Sequence, residues 1–201
     1  MGSDINLWEI ESGLRDSGYR TICGVDEAGR GPLAGPVFAA AVILPFGAAF
    51  PGLNDSKKLT ERVRERLFDE ITAKALDYSV ASADHEEIDS LNILNATFLA
   101  MNRAISALKV KPEIALIDGN RSAGIQSKNI CITGGDGRSA SIAAASILAK
   151  VSRDRFMCRM AVEYPHYGFE KHKGYGTKLH YEKLAEFGPC NIHRTTFKLN
   201  S

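Results

Sequence analysis

The chain has 201 residues, enough for one well-developed core and marginal for two, so a single domain with a terminal extension is the expected organisation. Its 44% hydrophobic and 24% charged composition excludes a disordered or fibrous chain, and the longest apolar run, Val37 to Leu44, falls far short of the roughly 20 residues a membrane span needs. Net charge is only +1, but residues 1–100 hold 9 Lys and Arg against 16 Asp and Glu, while residues 101–201 hold 16 against 8, a split that permits a basic binding face without establishing one.

From Thr21 to Pro45 the pattern is an apolar segment, Ile22-Cys23-Gly24-Val25, then Asp26-Glu27-Ala28-Gly29-Arg30-Gly31, then a second apolar run between Pro36 and Pro45. Two early strands with a short connection predict an antiparallel hairpin. After the loop Leu53-Asn54-Asp55-Ser56-Lys57-Lys58, Thr60 is placed to N-cap a helix with Val63, Leu67 and Ile71 on its apolar face. Tyr78 to Ala83 reads as a strand. Asp84 with Glu87 forms a capping-box pattern for a helix expected to run to about Leu108. Ile114-Ala115-Leu116-Ile117 reads as a buried strand ending in Asp118-Gly119-Asn120. A strand near Asn129 to Thr133, the turn Gly134-Gly135-Asp136-Gly137, and a long helix from Ser141 to about Val162 follow. The segment from Pro165 onward is expected to be loop, one short helix from Leu179 to Phe187, and an irregular tail. The order predicts a mixed α/β sheet.

The four cysteines, Cys23, Cys131, Cys158 and Cys190, lack Cys-x-x-Cys spacing, so reduced, mostly buried thiols are expected and a zinc site is not. The start Met1-Gly2-Ser3-Asp4 has neither the basic beginning nor the apolar core of a signal peptide, and a cytoplasmic protein is expected.

Adjacent carboxylates at a buried strand end repel each other unless a cation, a proton or solvent compensates them. Asp26 with Glu27, Asp118, and Asp136 all follow apolar segments, and in an open α/β sheet strand ends are where ligand sites gather. Hard oxygen donors suit Mg²⁺ or Mn²⁺, and two such ions support phosphodiester hydrolysis. Each acid also has an ordinary reading. Asp26 and Glu27 fit a solvent-facing pair, Asp118 an Asp-Gly turn, and Asp136 the N-cap of the following helix. Gly134 to Gly137 could cradle a nucleotide phosphate, but the Gly-Lys-Ser/Thr of such a loop is missing.

The run Gly24 to Val37, with Asp26-Glu27-Ala28-Gly29-Arg30-Gly31 at its centre, resembles the signature of bacterial ribonuclease HII. Leu53 to Leu59, Ile117-Asp118-Gly119-Asn120, Ser141 to Val151, Arg153-Asp154 and His172-Lys173-Gly174-Tyr175-Gly176-Thr177 follow in family order, so the resemblance covers roughly residues 20 to 197. Two departures are visible. The C-terminal pattern Gly188 to Phe197 keeps His193-Arg194 and Phe197 but stretches the spacing from Pro189, and Gly135 precedes Asp136.

The resemblance implies a ribonuclease H-like α/β fold, a mixed five-stranded sheet flanked by helices. Residues 1–163 would form the catalytic domain, with 1–19 as a lead-in, and residues 164–201 a helical and irregular C-terminal extension that helps bind substrate. It further implies hydrolysis of RNA in RNA-DNA hybrids and nicking of duplex DNA 5′ to embedded ribonucleotides, with two Mn²⁺ or Mg²⁺ ions, leaving 3′-hydroxyl and 5′-phosphate ends. Ribonucleotide excision repair and DNA replication are the processes such an enzyme serves. The catalytic and metal-binding carboxylates would be Asp26, Glu27, Asp118 and Asp136. Gly29, Arg30 and Gly31 would present backbone to the ribose 2′-hydroxyl, and Tyr175 would pack on the next sugar. Lys57, Lys58, Lys173 and Arg194 are candidate phosphate contacts, each equally readable as a solvated surface charge. His172, next to the Tyr175 loop, is the histidine with a possible place near the scissile phosphate; the other four read as surface or structural. The partner would be nucleic acid, with no membrane, and the protein a monomer. A non-catalytic hybrid-binding module of the same fold is the alternative, and the presence of all four acids speaks against it.

Overall fold

The computed structural model describes residues 6–54, 56 and 59–200. In chain order the elements are α1 (Glu9–Asp16), β1 (Ile22–Ala28), β2 (Val37–Ile43), α2 (Glu61–Lys74), β3 (Asp77–Ala83), α3 (His85–Leu91), α4 (Ile93–Ala107), β4 (Ile114–Asp118), β5 (Asn129–Ile132), α5 (Ala140–Glu163), α6 (Phe169–His172) and α7 (Lys178–Phe187). The five strands form one sheet in the order β3-β2-β1-β4-β5. The predicted hairpin is there: β1 pairs antiparallel with β2, and β2 with β3, while β1–β4 and β4–β5 are parallel. Among the described residues no helix is long and apolar enough to cross a membrane.

Strand alternation sorts side chains onto two faces. Cys23 and Val25 of β1, with Val37, Ala39, Ala41 and Ile43 of β2, pack against Ala96, Ala100, Met101 and Ala104 of α4. Ala40 and Val42 face the other way, onto Ala144, Ala145 and Leu148 of α5 and Leu67 and Ile71 of α2. By that parity Gly24 and Asp26 look toward α5, and Glu27 toward α4. Gly24 has to be a glycine, since a Cβ there would lie 2.1 Å from the Ser141 carbonyl carbon and 2.3 Å from the Ile142 nitrogen. Helix α5 therefore lies directly on the β1 backbone.

Local capping follows the sequence where a side chain and its target are close in the chain. Thr60 accepts from the Val63 N–H, and Asp84 and Glu87 form the reciprocal capping box. The single helix expected from Asp84 to Leu108 is two. Asn92, at φ 67°, interrupts it, and its side-chain oxygen accepts from the Leu94 and Asn95 N–H groups at 3.0 and 3.1 Å to start α4 afresh. Asparagine is among the few residues that tolerate positive φ and cap well, so it can stop one helix and open the next. Asp136 is likewise not the cap of α5. Ser139 is, accepting from the Ile142 N–H, and Asp136 sits in a separate 3-10 turn, Gly135–Gly137.

The C-terminal segment lies along residues 33–35. Gly35 N–H donates to the Ile192 carbonyl at 2.8 Å and Arg194 N–H to the Leu33 carbonyl at 2.9 Å. Asp89 of α3 anchors the tail by accepting from the N–H and hydroxyl groups of Thr195 and Thr196. Cys23 is buried as expected and its thiol is pushed up to about 12 by burial, but Cys158 is exposed on α5.

Candidate active site

The carboxylates gather at the ends of β1 and β4. Because the two strands run parallel with Val25 opposite Ile117, the next residue on each is an acid, Asp26 and Asp118. Asp26 is buried, 5% exposed. Its Oδ1 accepts from the Glu27 N–H at 2.7 Å. Burial, and then repulsion from Glu27 and Asp118, holds its carboxyl well above the usual range, against the pull of hydrogen bonds from the Ser146 hydroxyl and the Glu27 N–H. Glu27 is partly buried and pairs with Arg30 at 3.4 Å. Asp118 Oδ1 accepts from the Gly135 N–H at 2.7 Å, which ties the turn holding buried Asp136 to the end of β4. That bond also engages the Gly134–Gly137 turn with the protein's own acid, leaving the nucleotide-loop reading without support.

Two cavities meet at Glu27 and Arg30. One, about 410 Å³, is lined by Asp26, Gly29, Gly31, Ser146, Lys150 and Tyr175 besides those two residues. The other, about 350 Å³, opens toward α4, with Asp118, Asn120, Arg121 and Phe98 among its walls. Tyr175 is 43% exposed in the first cavity. Its ring lies 5.8 Å from the Arg153 guanidinium and 6.0 Å from the Lys150 ammonium.

Lys57 and Lys58 lie outside the described residues. Lys173 lines neither cavity, and its ammonium donates to the Glu170 carbonyl. Arg194 is a correction. It is fully buried, and its three guanidinium nitrogens donate to the carbonyls of Gly35, Arg30 and Gly29 at 2.9, 2.9 and 2.6 Å. Held under the turn in this way, it presents no face to a phosphate. His172 is also removed from the chemistry. It is buried, with Nε2 on the Tyr167 carbonyl at 2.8 Å and Nδ1 accepting from the Gly174 N–H at 3.2 Å, so it braces the Tyr175 loop from beneath.

Sequence reasoning missed Ser56, Ser146, Lys150 and Arg153. Ser146 hydrogen-bonds Asp26 and also meets the Ser56 hydroxyl at 2.8 Å, linking the loop before α2 to the central acid. Lys150 is paired with Asp154 at 2.8 Å beside Tyr175. A signal existed: 146, 150 and 153 recur at helical spacing, which puts three polar side chains on one face of α5.

A family model described as Ribonuclease HII matches residues 23–200. The ribonuclease HII of Caldicellulosiruptor bescii is 55% identical over 200 residues, covering 100% of this chain and 97% of that relative. That of Burkholderia mallei is 57% identical over 182 residues, covering 90% and 85%. Among solved structures, ribonuclease H2 from Pyrococcus horikoshii has a TM-score of 0.74 at 28% identity, covering 90% of this chain and 95% of that one. The PCNA:RNase HII complex from Archaeoglobus fulgidus gives 0.72 at 26%, covering 90% and 97%. With a ribonuclease H-like sheet, acids at the ends of its two central parallel strands and relatives matched along nearly their whole length, the chain belongs to the ribonuclease HII family of hydrolases.

Proposed function

We propose that this ribonuclease nicks duplex DNA on the 5′ side of an embedded ribonucleotide as well as cutting RNA in longer RNA-DNA hybrids, leaving 3′-hydroxyl and 5′-phosphate ends. Ribonuclease activity on hybrids and dependence on a divalent metal come with the family; recognition of a junction is the added step. The observation that carries it is the shared cavity, in which Asp26 and Glu27 stand beside Gly29–Gly31 and Tyr175.

The donor set fits a hard divalent cation. Asp26, Glu27, Asp118 and Asp136 offer only carboxylate oxygens, and burial, then repulsion from Glu27 and Asp118, disfavours a bare Asp26 carboxylate, which a bound cation would relieve. Among the described residues no group of three His, Cys, Asp or Glu side chains forms a ready-made metal cage, and Mg²⁺ is commonly held by one or two carboxylates with water completing its shell. Two Mg²⁺ or Mn²⁺ ions, when bound, would supply Lewis acidity at the phosphodiester and neutralise charge on the leaving oxygen.

The remaining roles belong to the chain. Asp26 and Asp118, at adjacent strand ends, hold the cation site on a rigid sheet. Glu27 faces the α4 side and is steadied by Arg30. Gly29, Arg30 and Gly31 present main chain to the 2′-hydroxyl, the group that separates RNA from DNA, and Tyr175 supports the following sugar. Lys57, Lys58 and Lys173 are the lysines offered to backbone phosphates. The same reading has a monomer acting in the cytoplasm, in ribonucleotide excision and DNA replication.

The test is a duplex carrying one ribonucleotide, incubated with Mn²⁺ or Mg²⁺ and with wild type, Asp26→Asn or Asp118→Asn. Wild type should nick at the ribonucleotide and both variants should be nearly inert. An intact strand with wild type, or variants as fast as wild type, would refute the assignment.

A further inference from the structure

Beneath the Gly29–Gly31 turn lie two arginines that no catalytic step uses. Arg153 of α5 is 1% exposed and Arg194 is fully buried. Every hydrogen bond that either guanidinium makes among the described residues goes to a main-chain carbonyl. Arg194 takes those of Gly29, Arg30 and Gly35. Arg153 takes those of Pro36 and Ala34, both at 3.1 Å, and that of Lys173 at 3.0 Å. A buried charge is costly unless it is paired or well solvated by dipoles. Here the solvating dipoles come almost entirely from one short segment, residues 29–36, and from the loop that carries Tyr175. The cations and the conformation of that segment therefore depend on each other.

The orientation matters more than the burial. In a trans peptide the C=O of one residue and the N–H of the next point in opposite directions, and no peptide bond among the described residues is cis. With the Gly29 and Arg30 carbonyls drawn inward onto Arg194, the N–H groups of Arg30 and Gly31 are aimed away from it, on the cavity side that residues 29–31 line. Gly29 completes the arrangement. Its φ is +99°, and a Cβ there would lie 2.0 Å from Arg153 Nε, so glycine at this position is what admits Arg153 beneath the turn.

We propose that Arg153 and Arg194 are positioning residues for ribose recognition, a clamp that fixes the turn and the Tyr175 loop as one preformed body with its N–H donors already aimed at the 2′-oxygen. The proposal rests on the reading of Gly29–Gly31 as the ribose-sensing turn. It separates cutting from reading within one site, because neither guanidinium bonds to the four acids. Burial lowers the two arginines to about 10 and about 9, and both remain cationic at neutral pH.

The test measures binding with cutting disabled. In an Asp118→Asn background, Kd is measured by fluorescence anisotropy for a duplex with one ribonucleotide and for the same duplex in all-DNA form, then repeated with Arg194→Lys and Arg153→Lys added. The clamp predicts that the ribonucleotide preference collapses by about tenfold, the scale of one or two misaimed hydrogen bonds, while all-DNA affinity stays within about twofold. A merely structural arginine lowers the active fraction, which cancels in the ratio, so a preserved preference overturns the proposal. Absence of any preference in the background protein sinks the ribose-sensing reading, and the clamp with it. Should the lysine variants fail to fold, amide exchange on wild type decides. Leu33 N–H, bonded to the Gly174 carbonyl at 2.8 Å, and Gly35 N–H are the reporters. Both should be as protected as the sheet in the free protein and unchanged by duplex; protection that arises only on binding overturns preorganisation.

Discussion

Acidification between about pH 7 and pH 5 should destabilise this protein through three buried histidines, and the structure fixes the sign. His180 Nδ1 meets the Tyr175 carbonyl at 3.0 Å, so that nitrogen carries the proton and Nε2 is bare. His180 Nε2 lies 3.0 Å from His193 Nε2, which must then be the donor, leaving His193 Nδ1 to accept from the Cys190 N–H at 2.9 Å. His172 stacks on His180 at 4.4 Å and donates from Nε2 to the Tyr167 carbonyl. All three rings are neutral in this network, and a proton added to His180 would set two N–H groups against each other. Lys173 and Glu170 are the charges nearest His172, with opposite effects on it, and Cys190 is the thiol beside His193. Burial, foremost, pulls all three below 6.5, His180 to about 4. The unfolded chain therefore binds protons that the folded one refuses. Stability is complete above about 6.5, falls as pH drops through that value, and levels off near the folded pKa. For His180 alone the loss by about pH 5 approaches 2 kcal/mol. Discounted for partial solvation it is about 1–2 kcal/mol, or about 2–8 °C in Tm for a chain of this size. Thermal melts of wild type and His180→Gln across this range supply the assay, and taking their difference removes the carboxylates common to both. The advantage of wild type should shrink toward pH 5. A pH-independent difference would refute the neutral-histidine network.

Gly24→Ala drives a Cβ into the Ser141 and Ile142 backbone, so α5 must lift off β1; a loss of about 1–3 kcal/mol and about 3–10 °C in Tm is expected by calorimetry. Ser146→Ala deprives Asp26 of a hydroxyl donor and Ser56 of its partner. Single-turnover cutting should slow by about tenfold with duplex Kd unchanged, and a weaker Kd at full rate would place Ser146 in binding instead. Tyr175→Ala should reduce kcat/KM at a single ribonucleotide by about tenfold and affect long hybrids less; equal loss on both would remove its junction-reading role. Gly29→Ala should lower Tm because the new methyl meets Arg153 inside the protein. At Gly31 the nearest atom to a new Cβ is a Tyr175 ring carbon at 3.7 Å, so Gly31→Ala should keep its Tm and lose ribonucleotide cleavage. A Gly31→Ala variant that cuts normally would show that no substrate group approaches there.

What could be read from the sequence was what neighbours in sequence decide. The β1–β2 hairpin, the Thr60 cap and the Asp84–Glu87 box depend on residues a few positions apart, and each formed where the pattern put it. The placement of Asp26 and Asp118 at adjacent strand ends was legible for a related reason: a strand that is apolar until it reaches a carboxylate announces an edge of the core. The Asn92 break was not, because the apolar positions of α3 and α4 continue in phase across it and only the φ of 67° at one residue separates them. The histidine network was equally hidden. His172, His180 and His193 come from α6, α7 and the tail, and no spacing rule relates them.

Arginine shows the limit most clearly. Arg30 and Arg194 look equivalent on the page, yet Arg30 is exposed beside Glu27 and Arg194 is buried beneath the turn that Arg30 belongs to. A sequence carries the cost of burying a charge only through its remedy, and when the remedy is main-chain carbonyls it leaves no acidic partner to notice. The trace that remained was indirect. Gly29 and Gly35 both adopt positive φ above these side chains, and a glycine read from the substrate side as room for a ribose is, from the protein side, room for Arg153. The missing side chain of Gly29 makes room for Arg153 inside the protein, and that of Gly31 leaves the Tyr175 side of the turn open. On the ribose-sensing reading, the turn would approach a sugar over Gly31 and would hold still to do so because an arginine fills the space beneath Gly29.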